Sequence, residues 1–276
     1  MIKFYLLDNF HGEGISQGIE RGVLVDYKGE CLVQEGLGLG APAIKTKTRT
    51  FFSCNSKLSK ISETAYLKKF YIDSELIWEF SKSQSERFYD FNLLTILINK
   101  ITDLYKILPH FQRELLPLGI VARNFFQTHS RIKSCRPIGS IAFRYNIFQN
   151  HISVNVDFSD IIRNNGNNIS KICVLNELGG DFFDASIWKD KISHPPSGWE
   201  KLNGYFGKKL YSKDLKIDFG LEFIDKIPNY NFDFIIGREK VSNFCWAGFD
   251  IEIDVRSIKN PRNDCNLKYI CGLNEK

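Results

Sequence analysis

Apolar and polar residues alternate along many short segments of this chain, and the segment FDIEIDV at residues 249–255 shows the alternation most clearly. Successive side chains of a β-strand point to opposite faces, so this segment would carry Asp250, Glu252 and Asp254 on one face and apolar side chains on the other. Similar segments, separated by Gly, Asn and Pro, occur at residues 23–34, 64–80, 138–158, 171–188 and 216–239. The pattern predicts roughly ten or more antiparallel strands, with residues 64–80 as a strand pair.

One region has the periodicity of a helix instead. Apolar residues recur every three or four positions over residues 91–108, a capping-box spacing precedes them, and Pro109 would end the helix. A second short helix would follow directly. The sequence therefore predicts one inserted helical pair at about residues 87–118. It also predicts a polar loop, rich in Asn and Gly, at residues 163–168.

Many antiparallel strands must bury one face each, either by packing two layers together or by closing a sheet on itself. We therefore expect a mainly β fold, with a large antiparallel β-sandwich or barrel-like sheet pair. The inserted helical pair would cover an open edge or end of the sheet. The sequence shows no repeat of fixed period and no convincing linker, so we expect residues 1–276 to form a single β-rich domain.

Composition and charge argue for a folded, soluble protein that does not bind nucleic acid. Hydrophobic residues make up 43% of the chain and charged residues 25%, as in ordinary globular domains. The net charge is only +5, and no basic helix or aromatic RNA-binding motif is present. Residues 115–156 contain no acidic residue but do contain Arg123, Arg131, Lys133, Arg136 and Arg144. This stretch is either a solvated basic face or a region that attracts an anionic ligand.

Sequence motifs for cofactors, metals and membranes are not found. The glycine-rich stretch at residues 36–42 ends in Pro42 and leads into a strand-like segment, so it lacks the helix that a phosphate-binding loop requires. The seven cysteines are scattered without a C-x-x-C pair, which predicts reduced thiols and no zinc site. No signal peptide or long apolar run is visible. We therefore expect a cytoplasmic protein without a transmembrane segment, a cofactor or a metal.

Four residues are candidates for acid–base catalysis. Asp250 and Glu252 share the acidic face of the FDIEIDV segment, which would have to line the concave side of a curved sheet. The alternative is a solvated outer face. Glu177 follows an apolar run and precedes two glycines, which places it at the end of a predicted strand. Strand ends often carry reactive side chains, although the same sequence also fits a simple turn with an exposed glutamate. His11, with Glu13 nearby, lies among glycines that suit either a ligand site or an ordinary loop.

Five further residues are candidates for binding a substrate. Trp246 would stack on a sugar ring beside the acids, or would otherwise be a core tryptophan. Arg238 and Arg144 would bind an anionic group, although Arg238 also fits a surface ion pair with Glu239. His151 begins a strand in the acid-free region and could pair with an anion. Asn176 precedes Glu177 at the end of the same predicted strand.

These residues lead to one main hypothesis and to alternatives of other classes. The main hypothesis is an enzyme that uses carboxylate and histidine acid–base catalysis on a small polyhydroxylated substrate, with or without an anionic group. Hydrolase, lyase and isomerase chemistry all fit. The alternative is a β-sandwich that binds an apolar ligand, such as a lipid or isoprenoid, with or without chemistry. A structural or assembly role is a further possibility, and the sequence does not predict the oligomeric state.

Overall fold

The computed structural model describes the chain except for residues 13–15, 35, 81–127, 190, 195–197, 203–206, 225–228, 242–243 and 261–263. The described part is mainly β, and its largest feature is an antiparallel sheet of fifteen strands. One α-helix, α1 (Ser159–Asn165), lies within the described residues. The helical pair expected at about residues 87–118 lies outside them. Among the helices that the structure describes, none is both long and apolar enough to cross a bilayer.

The described residues contain eighteen strands, which we number in chain order. The strands are β1 (Ile2–Tyr5), β2 (Leu24–Tyr27), β3 (Glu30–Cys31), β4 (Gly38–Lys45), β5 (Thr50–Lys60), β6 (Ala65–Phe80), β7 (Thr128–Ser134), β8 (Ser140–Ile147), β9 (His151–Asp157), β10 (Lys171–Gly179), β11 (Ala185–Trp188), β12 (Lys191–Ser193), β13 (Gly198–Lys201), β14 (Lys209–Ser212), β15 (Ile217–Phe223), β16 (Phe232–Val241), β17 (Phe244–Asp254) and β18 (Asn266–Glu275). Short 3₁₀ turns follow α1 and β17, at Gly166–Asn168 and Val255–Ser257.

Strands β1, β2 and β3 form a small separate sheet. The turn between β2 and β3 places Lys28 at φ 57° and Gly29 at φ 89°. Two successive positive φ angles are the signature of a type I′ turn, whose twist matches that of the strands it joins. Strands β2 and β3 therefore form a hairpin around this turn.

The fifteen-stranded sheet folds over so that distant strands face each other. Its main path runs β12, β11, β14, β15, β18, β9, β8, β6, β5, β4, β10, β17, β16 and β13, while β7 pairs with the far half of β6. The Phe219 ring on β15 lies 5.3 Å from the Phe249 ring on β17, and the Phe223 and Phe234 rings are 5.8 Å apart. Within the described residues the sheet is not closed, because β12 and β13 remain as the two ends of its main path.

The inner face of the folded sheet holds the main hydrophobic core. On β17 the apolar residues Phe249, Ile251 and Ile253 are all fully buried in this core. The expectation that the apolar residues of the segment 249–255 share one buried face is therefore confirmed. The two halves of the folded sheet that face each other are called its arms here. Since aromatic rings from both arms are in contact, side chains fill the space between the arms.

A buried lysine ties the chain before β2 to the large sheet. Lys68 on β6 is completely buried, and its Nζ donates hydrogen bonds to the carbonyl oxygens of Leu7 and Arg21 at 3.0 and 2.8 Å. The same Nζ lies 2.6 Å from Oε1 of Glu20, which is also completely buried. All three ammonium donors therefore have acceptors, as a buried charge requires.

Three features differ from the expectations drawn from the sequence. Residues 65–80 form the single long strand β6 rather than a strand pair, because β5 pairs with one side of it while β8 and then β7 pair with the other. The expected loop at residues 163–168 is the end of α1 followed by a 3₁₀ turn. Strand β18 was not expected, yet it lies in the middle of the sheet between β15 and β9. In agreement with the sequence, none of the seven cysteines forms a disulfide.

Candidate functional site

The registers of β17 with its two neighbours determine which side chains share a face. Gly248 lies opposite Glu177 on β10 and opposite Gly237 on β16, while Trp246 lies opposite Glu239. Directly opposed residues point to the same face of an antiparallel sheet, as do residues two apart on one strand. One face, which we call the acidic face, therefore carries Glu177, Glu239, Trp246, Asp250 and Glu252.

The acidic face is the one turned away from the main core. It does not line the space between the two arms, which differs from the concave arrangement that the hypothesis required. It is nevertheless not a fully solvated surface. A second, smaller apolar cluster covers part of it, formed by Ile19, Leu37, Ala41, Ala43, Cys173 and Leu175. Asp250, Glu177 and Glu239 are all only partly exposed beside this cluster.

Two glycines lie between the acids and a tryptophan in one row across the sheet. Along this row Glu177, Gly248, Gly237 and Trp199 lie on four successive strands, β10, β17, β16 and β13. A Cβ atom on Gly237 would lie 2.4 Å from the indole ring of Trp199, so the ring lies directly over this glycine. The indole Nε1 donates a hydrogen bond of 3.0 Å to Oε2 of Glu239. Trp199 and Trp246 therefore flank Glu239.

Glu177, Glu239 and Asp250 form what we call the acid cluster. Burial, helped by repulsion from Glu239, raises the pKa of Glu177 to about 7 against the opposing effect of a hydrogen bond from the Leu37 N–H. Burial also raises the pKa of Asp250 well above its ordinary value, and the neighbouring Glu177 adds to this effect. Asp250 Oδ1 is buried without a hydrogen-bond partner. Glu177 and Asp250 therefore hold protons at pH values where ordinary carboxyls are ionised.

Glu252 shares the acidic face but differs from the acid cluster in its electrostatics. It makes a direct ion pair with Lys45, and its Oε2 lies 2.5 Å from Nζ of Lys171. Lys171 and Lys201 also contact Asp233, at 3.1 and 2.7 Å. Although burial opposes ionisation, the two lysines hold the pKa of Glu252 at about 2. Glu252 is therefore an ionised member of a lysine–carboxylate network.

His11 lies in a different environment from the acid cluster. Its Nε2 is 2.9 Å from the carbonyl oxygen of Cys54 and 3.4 Å from Oε2 of the buried Glu20. Glu20 in turn pairs with Lys68 and accepts a hydrogen bond from the Ser56 hydroxyl at 2.9 Å. The structure therefore places His11 beside Cys54 and Glu20 rather than beside Glu177 or Asp250. Glu13, its suggested partner, lies outside the described residues.

The two candidate arginines do not join the acid cluster. Arg238 is on the opposite face of β16 from Glu239, where its Nε donates a hydrogen bond of 2.9 Å to the Gly180 carbonyl. Its guanidinium also lies 3.7 Å from the Asp181 carboxylate. Arg144 is exposed on β8, in another part of the sheet. Neither arginine is placed to bind an anionic group beside the acids.

Asn176 and His151 are also separate from the acid cluster. Asn176 is completely buried on the core side of β10, where its Oδ1 accepts hydrogen bonds from the Gly40 N–H at 3.1 Å and the Tyr269 hydroxyl at 2.9 Å. This amide therefore stabilises a bulge of β4 at Gly40, whose φ is 76°. His151 stacks on Phe148 with ring centroids 4.5 Å apart, at the start of β9.

Two members of the site, Trp199 and Glu239, were not candidates in the sequence analysis. Trp199 lies in a segment whose Pro and Gly content indicates a loop, and only pairing with β16 makes it part of the sheet. Glu239 could have been found, since alternation along β16 places it on the same face as Gly237 and Ile235. Among the residues that the structure describes, no group of three His, Cys, Asp or Glu side chains is arranged to hold a metal ion.

Comparisons with known proteins add no relative. A scan against protein-family models, a search of curated proteins and a search of solved structures each give no match to this chain. The functional argument therefore depends on the geometry of the acidic face.

Proposed function

We propose that Glu177 and Asp250 are the acid–base pair of an enzyme that acts on a small polyhydroxylated substrate. The observation that carries this proposal is the divergence of pKa values on one face. The pKa of Glu177 is about 7 and that of Asp250 is raised well above its ordinary value, whereas that of Glu252 is held at about 2. Neighbouring carboxyls whose environments drive their pKa values apart are the usual sign of divided acid and base roles.

The two carboxyls would have different tasks near neutral pH. Asp250, whose pKa is raised by burial and by the neighbouring Glu177, would donate a proton to a leaving or carbonyl oxygen, while Glu177, with a pKa of about 7, would accept a proton. The two residues lie diagonally across the β10–β17 pair, which brings diagonal Cα atoms to about 7 Å of each other. Hydrolysis, elimination and isomerisation can each use such a pair, so the reaction type stays open.

The two tryptophans support a substrate that has both C–H and hydroxyl groups. Trp199 and Trp246 flank the acid cluster, and both are partly exposed. Indole faces pack against the C–H surface of a polyol, while carboxyl oxygens accept hydrogen bonds from its hydroxyls. The alternative of an apolar ligand held between the arms has less support, because aromatic rings in mutual contact fill that space. We interpret the folded-over sheet as sandwich-like for the same reason.

A ligand-shift screen against monosaccharides and polyols tests the proposal. We expect at least one of these compounds to raise the unfolding temperature of the protein. We also expect the protein to turn over that compound faster as pH rises through about 7, because Glu177 then loses its proton. Glu177→Gln and Asp250→Asn should each abolish that turnover. Glu222→Gln provides a matched control, since Glu222 is exposed on β15, outside the acidic face. Turnover that survives both carboxyl substitutions would end the proposal.

A further inference from the structure

The sequence of strand β4 specifies its register only weakly. Its residues, GLGAPAIK, are mostly small, and all of them except Lys45 are buried. The register of a strand is normally fixed by one apolar and one polar face, because a shift of one residue exchanges the two. Since both faces of β4 are buried, side-chain burial distinguishes poorly between neighbouring registers. The observed register therefore needs a further source of specificity.

The observed register contains a β-bulge at Gly40. Leu175 lies opposite Ala41 and Asn176 lies opposite Leu39, so Gly40 is an extra residue on β4 without a partner residue on β10. Its φ of 76° is the left-handed conformation that glycine commonly adopts in a bulge. Residues two apart on a regular strand share a face, but here Leu39 packs in the main core and Ala41 in the second cluster. The bulge therefore decides which side chains of β4 enter the main core.

Buried side chains bind both backbone polar groups of Gly40. The Gly40 N–H donates a hydrogen bond of 3.1 Å to Oδ1 of Asn176, and the Tyr145 hydroxyl donates one of 2.6 Å to the Gly40 carbonyl oxygen. The Tyr269 hydroxyl donates to the same Oδ1 at 2.9 Å, and Nδ2 of Asn176 donates to the Phe249 carbonyl oxygen at 3.2 Å. Asn176, Tyr145 and Tyr269 are all completely buried. Side chains therefore satisfy the backbone groups of the bulged residue.

We propose that Asn176, Tyr145 and Tyr269 form a register latch, which holds β4 in its bulged pairing with β10 against a bulge-free pairing shifted by one residue. In the shifted pairing the Asn176 amide and the Tyr145 hydroxyl would lose their contacts with Gly40 and would be left buried with fewer partners, which is costly. A fully satisfied buried network specifies one arrangement for this reason. Because Tyr145 is on β8 and Tyr269 is on β18, the latch connects β4 and β10 to strands that face them across the core.

The latch also determines where the chain before β2 attaches to the large sheet. The Val23 N–H donates a hydrogen bond of 2.8 Å to the Leu39 carbonyl oxygen, and the Leu39 N–H donates one of 2.9 Å to the Val23 carbonyl oxygen. A shift of one residue moves Leu39 by about 3.4 Å along the strand, which would break both bonds. The register of β4 on β10 and the attachment of Val23 are therefore coupled.

Hydrogen exchange of the full chain, followed for single amides by NMR, tests the latch. Tyr145→Phe removes one hydroxyl and keeps the ring, while Asn176→Leu removes the amide group at similar volume. We expect the amides of Val23, Leu39 and Ala41 to exchange at least about tenfold faster relative to the amides of β15, which is the effect of one buried polar group left unsatisfied. Acceleration at Val23 together with Ala41 is the signature of a shift that involves both sides of β4.

Tyr230→Phe is the matched control. Its hydroxyl donates a hydrogen bond of 2.9 Å to the Asn266 carbonyl oxygen, and the residue is buried away from β4. This variant should change the exchange of β4 and β15 by the same factor. If Tyr145→Phe and Asn176→Leu behave like the control, or accelerate Ala41 without Val23, the inference is wrong. Should Asn176→Leu fail to fold, Tyr145→Phe, which removes a single oxygen atom, decides the question.

Discussion

At the scale of single residues, the acidic face contains carboxyls that lower stability next to one that raises it. Glu177 and Asp250 have raised pKa values because burial disfavours their ionised forms, whereas Glu252 is ionised between two lysines. A functional site commonly retains groups that reduce folding stability when their chemistry is needed. The two kinds of carboxyl therefore predict opposite dependences of stability on pH.

Glu177→Gln should stabilise the protein at high pH. A carboxyl whose pKa is raised from 4.5 to about 7 by folding contributes its full stability below pH 4.5, and that contribution is lost as pH rises through about 7. The neutral amide avoids this loss and can still accept the hydrogen bond from Leu37 N–H. We expect a gain in unfolding free energy of up to about 3 kcal/mol at pH 8, reduced by water at this partly exposed site, and little change at pH 4.5.

Urea unfolding of wild type and variant at both pH values measures this effect. The exposed Glu222→Gln substitution serves as the control and should leave the pH dependence unchanged. A Glu177→Gln protein that is less stable than wild type at pH 8 would contradict the assignment of a raised pKa.

Glu252→Gln should have the opposite effect. Folding lowers the pKa of this carboxyl from 4.5 to about 2, so its stabilising contribution is present above pH 4.5 and is lost as pH falls through about 2. Because Lys45 and Lys171 would lose their shared partner, we expect the substitution to cost about 3 kcal/mol at pH 7 and progressively less below pH 4. Denaturant titrations from pH 2.5 to pH 7 test this expectation, and a cost independent of pH would contradict it.

At the scale of elements, two contacts hold strands together in ways that substitution can probe. The first is the ion pair of Lys68 with Glu20, which joins the segment before β2 to the large sheet. Lys68→Met would leave the Glu20 carboxylate buried without its cation, and removing one partner of a buried pair typically costs about 3–5 kcal/mol. Lys69→Met, on the exposed face of the same strand, should cost less than about 0.5 kcal/mol.

A double-mutant cycle identifies the pair as the source of the Lys68 effect. Adding Glu20→Gln to Lys68→Met should recover part of the lost stability, because the unpaired buried charge is then removed. If the double variant is as unstable as the sum of the two single variants, the two side chains do not interact in the folded protein.

The second contact is the close approach of β10 and β17 at Gly248. A Cβ atom there would lie 2.1 Å from the Asn176 carbonyl oxygen, so Gly248→Ala must move one strand away from the other. We expect a loss of about 1–3 kcal/mol in unfolding free energy, together with loss of the ligand response that depends on Glu177. Gly220→Ala on β15 is the matched control, since its Cβ would meet only the flexible side chain of Lys209, at 3.1 Å. Equal effects at the two glycines would exclude a special role for Gly248.

At the scale of the whole molecule, periodicity in the sequence predicted the strands better than their arrangement. The alternation over residues 249–255 correctly separated Phe249 and Ile251 from Asp250 and Glu252, because side-chain direction in a strand is a local property. Strand β18 escaped prediction because its alternation is weakened by Asn, Gly and Cys, and only its neighbours β15 and β9 place it in the sheet.

The site shows the same division between local and long-range information. Asp250 and Glu177 were proposed from their own segments, but their closeness depends on the pairing of β10 with β17, which are separated by more than sixty residues in the chain. Trp199 was missed since its contact with Gly237 exists only through the β13–β16 pairing. Asn176 and Arg238 each lie across the sheet from their acidic neighbours, because adjacent residues of a strand point to opposite faces.

The outermost strands of the large sheet, β12 and β13, are joined by only residues 194–197. A chain of that length spans at most about 18 Å, so the two borders of a fifteen-stranded sheet are tethered to each other. Borders of ordinary sheets fray independently, but here detachment of one border strand relaxes the restraint on the other. Native-state hydrogen exchange should therefore show the amides of Lys191–Ser193 and Gly198–Lys201 opening with similar free energies and responding together to a substitution in either strand.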